Sequence, residues 1–264
     1  MHSTLFTIGP LQIHSYGTML MLGFLAGILL SRREARRLGL SPDLPLDLGV
    51  WVLIAAIVFA RGLFVAMNWS DYAPRPLEVI YLWREGGLSF HGGLLGGVIA
   101  TLLFARARRL PFWTLADMLT PGLALGYGIA RFGCFLNGCC YGSPTSLPWG
   151  VRFPVYPDSQ ITTEPSHPTQ IYSALGSFLI LAILLRVRGR LAVRGQLFLL
   201  YLMLYAFLRA GVEVFRRGYT ASTLVDGITQ AQLASAVILV AAAIGFAVLN
   251  RRAGNDAQSG AGQA

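Results

Sequence analysis

Apolar stretches of bilayer length recur along the chain, separated by short polar intervals. A membrane-crossing helix needs ~20 predominantly apolar residues. The stretches are Tyr16–Ser31, Leu48–Met67, Ser89–Phe104, Leu115–Phe132, Pro168–Leu185, Gly195–Val214 and Ile228–Leu249. The third is short and glycine-rich. The pattern predicts an all-α polytopic membrane protein with seven transmembrane helices, residues 1–252 forming a single transmembrane domain.

The polar intervals give orientation. Arg32, Arg33, Arg36 and Arg37 follow the first stretch, and Arg106, Arg108 and Arg109 follow the third. Arg186, Arg188, Arg190 and Arg194 separate the fifth from the sixth, and Arg251 and Arg252 follow the seventh. With seven spans these all fall on one side, while Arg75, Arg84, Arg152, Arg216 and Arg217 fall on the other. The excess marks the cytoplasmic face, so the N-terminus is expected outside and the C-terminus inside. Removing one span scrambles this division. The longest outer interval, residues 139–167, is proline-rich and predicts a small irregular head. Residues 253–264 are Gly/Ala/Gln-rich and predict a disordered cytoplasmic tail. No basic residue precedes the first apolar run, so it does not read as a cleavable signal.

Composition agrees. Of 264 residues, 55% are hydrophobic and 12% charged, where a soluble domain carries about 25% charged. The net charge of +9 sits in short runs between apolar segments, a pattern of membrane topology that argues against nucleic acid. All 21 basic residues are arginine, so no single arginine can be read as chosen over lysine.

Three arginines, Arg61, Arg131 and Arg209, fall inside or at the edge of apolar stretches, near their outer ends. Intramembrane charge costs at least ~2.5–3.5 kcal/mol at a helix centre, so each either snorkels to the interface or has polar company. Tyr205, Arg209 and Glu213 are spaced i, i+4, i+8 on one helical stripe. That is a self-neutralising ion pair, or an arginine oriented to receive an anion, and the two readings are compatible. Tyr127 and Arg131 repeat the i, i+4 spacing. His91 sits in S-F-H-G-G-L-L-G-G, where Gly92/Gly96 and Gly93/Gly97 have the spacing that lets a helix approach a neighbour closely. A lone histidine is usually structural, yet it is the side chain suited to proton transfer near neutrality. Tyr16 reads as an interface aromatic, and His167–Gln170 as a helix start. Cys134, Cys139 and Cys140, all the cysteines present, share one short run on the outer side. A disulfide involving Cys134 is open, whereas a metal site of three thiols with no further ligand in the run is incomplete. Together these groups suggest an anionic lipid site open to the outer leaflet.

The motifs that carry this chemistry are I-H-S-Y-G at Ile13–Gly17, S-F-H-G-G at Ser89–Gly93, A-R-F-G-x-F-L-N-G at Ala130–Gly138, H-P-T-Q-I-Y at His167–Tyr172 and Y-x-x-x-R-x-x-x-E at Tyr205–Glu213. In this set and order the chain resembles the bacterial prolipoprotein diacylglyceryl transferases over nearly its full length. The resemblance implies a multi-pass enzyme of the bacterial inner membrane that moves the diacylglyceryl group of phosphatidylglycerol onto the lipobox cysteine in the signal peptide of a prolipoprotein. A thioether forms and glycerol phosphate leaves, with no metal or other cofactor. It also implies His91 as base, Arg131 and Arg209 on the phosphate, and Tyr16, Gly92, Asn137, Tyr205 and Glu213 around the substrate.

The chain departs from that pattern where many members read G-N-F-I-N-G-E. Cys134 stands for the asparagine and Cys139 for the glutamate, and Ala130 replaces a glycine. The glutamate's role does not carry over to Cys139. The alternatives this opens are a different acceptor, a non-catalytic phospholipid-binding or lipid-transporting membrane protein, or a thiol-redox membrane protein.

Overall fold

Between helices in lipid there is no hydrophobic driving force, so close contact of small residues has to hold them. The chain supplies such contacts repeatedly. The computed structural model describes residues 3–8, 11–80, 87–155, 159–191, 193–216, 223–225 and 227–261. Arg84 and Arg217, both assigned to the outer side from the charge pattern, lie outside the described residues.

The described helices are α1 (Ser15–Arg37), α2 (Leu44–Met67), the single-turn α3 (Trp69–Tyr72), α4 (Phe90–Ala107), α5 (Phe112–Asn137), α6 (Thr169–Val187), α7 (Gln196–Val214) and α8 (Gln230–Ala261). All but α3 are long and apolar enough to cross a membrane, giving seven spans. This matches the expected count, including the short third span, α4. Two antiparallel hairpins accompany them: β1 (Thr4–Ile8) with β2 (Leu11–His14), and β3 (Thr223–Val225) with β4 (Ile228–Thr229). The last helix is described to Ala261, past Ala253, where the composition reading starts an unstructured tail. Alanine and glutamine are good helix formers, and the helix carries on through them.

Contacts divide the chain into two compact units, Met1–Ser31 with Leu119–Ala264, and Arg32–Met118. In the smaller unit α4 packs on α2 through glycine. A Cβ on Gly92 would stand 2.3 Å from the Phe59 carbonyl oxygen, and one on Gly96 2.5 Å from that of Ala55. Ser89 caps α4, its Oγ accepting from the Gly92 N–H at 3.4 Å, and its own N–H donates to the Ala60 carbonyl at 3.0 Å. Arg61, only 6% exposed, is clamped by a short loop. Its guanidinium donates to the carbonyls of Glu78 and Val79 at 2.9 Å and of Gly87 at 3.2 Å, and lies 5.1 Å from the Tyr72 ring centre. That settles the choice for this arginine: it neither snorkels nor awaits a ligand, but staples the loop after α2.

In the larger unit α1 crosses α5 backbone to backbone. A Cβ on Gly23 would lie 2.6 Å from the Gly126 carbonyl oxygen, and one on Gly122 2.5 Å from that of Gly27. Towards the end of α5, a Cβ on Gly133 would stand 2.9 Å from the Met19 Cβ and 3.2 Å from the Tyr16 Cα. The first hairpin is tied to the same place, because the Ser15 N–H and Oγ both donate to the Ser3 carbonyl, at 2.9 and 3.2 Å. Ser177 Oγ donates to the Ala124 carbonyl at 2.8 Å and joins α6 to α5. A core of Ala124, Ile180, Leu184, Leu197 and Tyr201 fills the space between α5, α6 and α7. The outer head is folded about fully buried Phe153, stacked on Tyr141 at 4.7 Å and edge-on to Phe135 at 6.0 Å. Isolated bridges pair Val151 with Ser166 and Pro154 with Thr162.

The α1–α5 crossing predicts that Gly23→Leu lowers the thermal unfolding midpoint in detergent micelles, overpacking costing ~1–3 kcal/mol. Gly62→Leu is the control, because a Cβ there meets nothing within 4 Å. Equal midpoints for the two variants would remove the crossing as a stabilising contact.

Candidate functional site

The end of α5 gathers the polar groups of the larger unit. Arg131 lies over the ring of Tyr127, 4.6 Å from its centre, and is within hydrogen-bonding reach of that phenol. One turn separates the two residues, so the helix itself sets the stack. Tyr205 of α7 meets Tyr127 edge-on at 5.3 Å and interacts electrostatically with both Arg131 and Arg209. A chain of two phenols therefore connects the guanidiniums of two helices.

Arg209 is ion-paired with Glu213 one turn further on, and Arg216 approaches the same carboxylate at 3.7 Å. The Glu213 side chain is 3% exposed. A buried carboxylate is tolerated when paired, and two guanidiniums around one carboxylate leave a net positive charge. Arg131 adds a second. The arrangement offers fixed N–H donors to an anion, in surroundings where the low dielectric strengthens each interaction.

Tyr16 enters from the first turn of α1 and interacts with Arg131 and the three cysteines. The Gly133 contact places it there, since a side chain at that position would push α1 away. Asn137, the last residue of α5, is within hydrogen-bonding reach of Cys139. The Sγ atoms of Cys134, Cys139 and Cys140 all lie within 4.8 Å of one another. The left-handed Gly138 (φ 74°) turns the chain back so that the Cys139 N–H donates to the Cys134 carbonyl at 3.1 Å, and Cys140 (φ 66°) is left-handed in its turn. From the first turn of α6, Gln170 Nε2 donates to the Cys139 carbonyl at 2.6 Å and Thr169 Oγ1 to the Cys140 carbonyl at 2.7 Å. Beside this turn lies a cavity of about 270 Å³, bounded by Asn137, Cys139, Cys140 and Tyr141 with Pro154 and Val155 of the head.

The thiols after α5 are unequal. Hydrogen bonds from Cys134 and then Cys139 hold Cys140 well below the ordinary thiol range, and the charges of Arg216 and Arg131 act in the same sense. Cys139 moves the other way. Its hydrogen bond with Cys134 lowers it, but the hydrogen bond with Cys140 and burial outweigh that.

Of the residues singled out from sequence, Tyr16, Arg131, Asn137, Tyr205, Arg209 and Glu213 therefore belong to one unit and share these contacts. His91 and Gly92 belong to the other. His91 is exposed in the first turn of α4, edge-on to Phe90 at 5.8 Å. Gly92 is buried against α2, where its part is helix packing. Sequence reasoning undervalued Arg216, read only as a loop charge, and Thr169 and Gln170, read as a helix start. The i, i+3 spacing of Glu213 and Arg216 was the available signal for the first. Nothing local signals that Gln170 reaches the cysteine turn.

A sequence model of the family described as prolipoprotein diacylglyceryl transferase matches residues 3–248. The phosphatidylglycerol–prolipoprotein diacylglyceryl transferase of Synechococcus elongatus is 40% identical over 254 residues, covering 93% of this chain and 85% of that protein. Proteins of the same name are 38% identical in a Nostoc species, covering 92% and 86%, and 34% identical in Halalkalibacterium halodurans, covering 89% and 82%.

The inequality of the thiols predicts selective chemistry. In reduced, chelator-treated protein, brief alkylation at mildly acidic pH should modify Cys140 ahead of Cys134 and Cys139. A lowered thiol stays ionised, and so reactive, below the ordinary range near ~8.5. Peptide mass mapping reads the result, and equal labelling with ordinary thiol pH dependence would contradict the assignment.

Proposed function

Because the chain belongs to the prolipoprotein diacylglyceryl transferase family, we propose that it transfers the diacylglyceryl group of phosphatidylglycerol to a prolipoprotein in the bacterial inner membrane. The acceptor is the lipobox cysteine of the signal peptide. Its sulfur attacks the glyceryl carbon that carries the phosphate ester. A C–S bond forms, the C–O bond breaks, and glycerol phosphate departs with the electron pair.

The observation that carries this reading is the pair of arginines from two helices, Arg131 and Arg209, joined through Tyr127 and Tyr205. Negative charge on the phosphate grows as the C–O bond breaks. Fixed guanidiniums aimed at that charge stabilise the transition state more than the ground state. Glu213 and Arg216 hold Arg209 in place, so its donors are oriented before the lipid arrives. Tyr16 and Asn137 line the outer approach. The acceptor thiol must lose a proton to become a nucleophile. His91 is proposed as the base on its motif and on the suitability of imidazole near neutral pH.

A second reading, a non-catalytic phospholipid binder, is favoured by Cys139 standing where many members carry glutamate. Release of glycerol phosphate separates the two. Protein in phosphatidylglycerol vesicles, given a lipobox peptide, should yield the diacylglyceryl peptide and an equal amount of glycerol phosphate. Arg131→Ala or Arg209→Ala should each slow this by ~10²–10³-fold, as for loss of one transition-state donor. Wild-type rates in both variants would sink the phosphate clamp, and lipid retention with no glycerol phosphate would favour the second reading.

A further inference from the structure

Resting on the transfer reading above, we propose that Cys134, Cys139 and Cys140 bind one thiophilic divalent cation, Zn²⁺ by chemistry, whose fourth position takes the acceptor thiol. A catalytic zinc site keeps three protein ligands and one open position, and zinc takes thiolate sulfur as a ligand, so three cysteines supply the required number. The three sulfurs already lie within 4.8 Å of one another. Tetrahedral Zn–S bonds of 2.3 Å bring sulfurs to about 3.8 Å apart. The remaining contraction of about an ångström is within the reach of cysteine side-chain rotation.

The surroundings are built to hold this arrangement. Cys140 keeps a left-handed backbone, a conformation that a side chain disfavours. The strained turn is fixed from outside by Gln170 and Thr169, which hold the carbonyls of Cys139 and Cys140. Both donors are only 1% exposed. Such second-layer hydrogen bonds are what orient metal ligands. The adjoining cavity, bounded by Cys139 and Cys140, supplies both a path for the ion and room for the peptide cysteine.

Charge selects the class of ion. Three thiolates around a divalent cation carry a net charge of −1, which the neighbouring Arg131 and Arg216 offset. With the acceptor thiolate also bound, a divalent ion leaves −2 beside the phosphate site and a monovalent ion −3. A disulfide uses two of the sulfurs and leaves the third without a role. A metal uses all three, at the position where many family members place a glutamate.

The step balances without an oxidant. The acceptor thiol coordinates the ion, which favours its deprotonation, and gives its proton to the base proposed above. The thiolate then leaves the ion as it forms the C–S bond, and the phosphate oxygen takes the electrons of the broken C–O bond. The site then accepts the next thiol.

The test titrates Co²⁺ as an optical probe into reduced, chelator-stripped full-length protein in detergent. One equivalent should give sulfur-to-cobalt charge-transfer bands and tetrahedral d–d bands, bleached by Zn²⁺, and should protect all three cysteines from alkylation. A lipobox peptide should shift the d–d bands, and the same peptide with serine for cysteine should not. Cys139→Ser and Cys140→Ser, checked for helix content and thermal midpoint, should each weaken Co²⁺ binding at least about tenfold. Thiol protection is read on the unmutated chain, so the result does not depend on a variant folding. Absence of the bands, bands unchanged in both variants, or binding of monovalent copper alone would overturn the proposal. Full-rate lipidation by metal-free protein would overturn it while leaving the transferase reading intact. Metal binding with no lipidation would instead overturn the transferase reading, and with it the role of the open position.

Discussion

Everything in the larger unit hangs on how closely α1 can approach α5. In lipid, two apolar helices gain nothing by exchanging lipid contacts for each other unless they pack more tightly than lipid can. Gly23, Gly27, Gly122 and Gly126 remove the side chains that would keep the backbones apart. Further along the same line, Gly133 admits the backbone of Tyr16. The crossing thus carries the start of α1 to the end of α5. Tyr16 reaches Arg131 and the cysteine turn only because no Cβ stands between them.

The arginines show how one residue type serves opposite ends. Arg61 and Arg209 both lie in apolar helices near their outer ends, and both need compensation for leaving water. Arg61 spends its donors on three backbone carbonyls and its face on aromatic rings, which fixes a loop. Arg209 shares a single buried carboxylate with Arg216, which fixes a direction while leaving positive charge over. With Arg131 held over Tyr127, that remaining charge is what the proposed phosphate clamp draws on.

The cysteine turn occupies the part of the site where this chain departs from many relatives. Replacing asparagine and glutamate by cysteines removes a fixed carboxylate and substitutes groups that become negative only when ionised or metal-bound. Their backbone is held by Thr169 and Gln170 as firmly as the arginines are held by tyrosine and glutamate.

The membrane spans were legible from the chain alone because hydropathy is a local property: a helix in lipid satisfies its own backbone, so ~20 apolar residues identify it wherever it packs. The stripe of Tyr205, Arg209 and Glu213 and the pair of Tyr127 and Arg131 were legible for the same reason, since helical spacing alone brings them together. The glycines of α2–α4 packing were foreseeable on one side only; Gly92 and Gly96 show the spacing, but not the partner. Tertiary structure alone decided that Arg61 is a staple, that Gly23 and Gly126 meet, and that the sulfur of Cys134 joins those of Cys139 and Cys140. The last depends on a left-handed cysteine and on hydrogen bonds from another helix. Local preference disfavours such a conformation, and only contacts distant in sequence stabilise it.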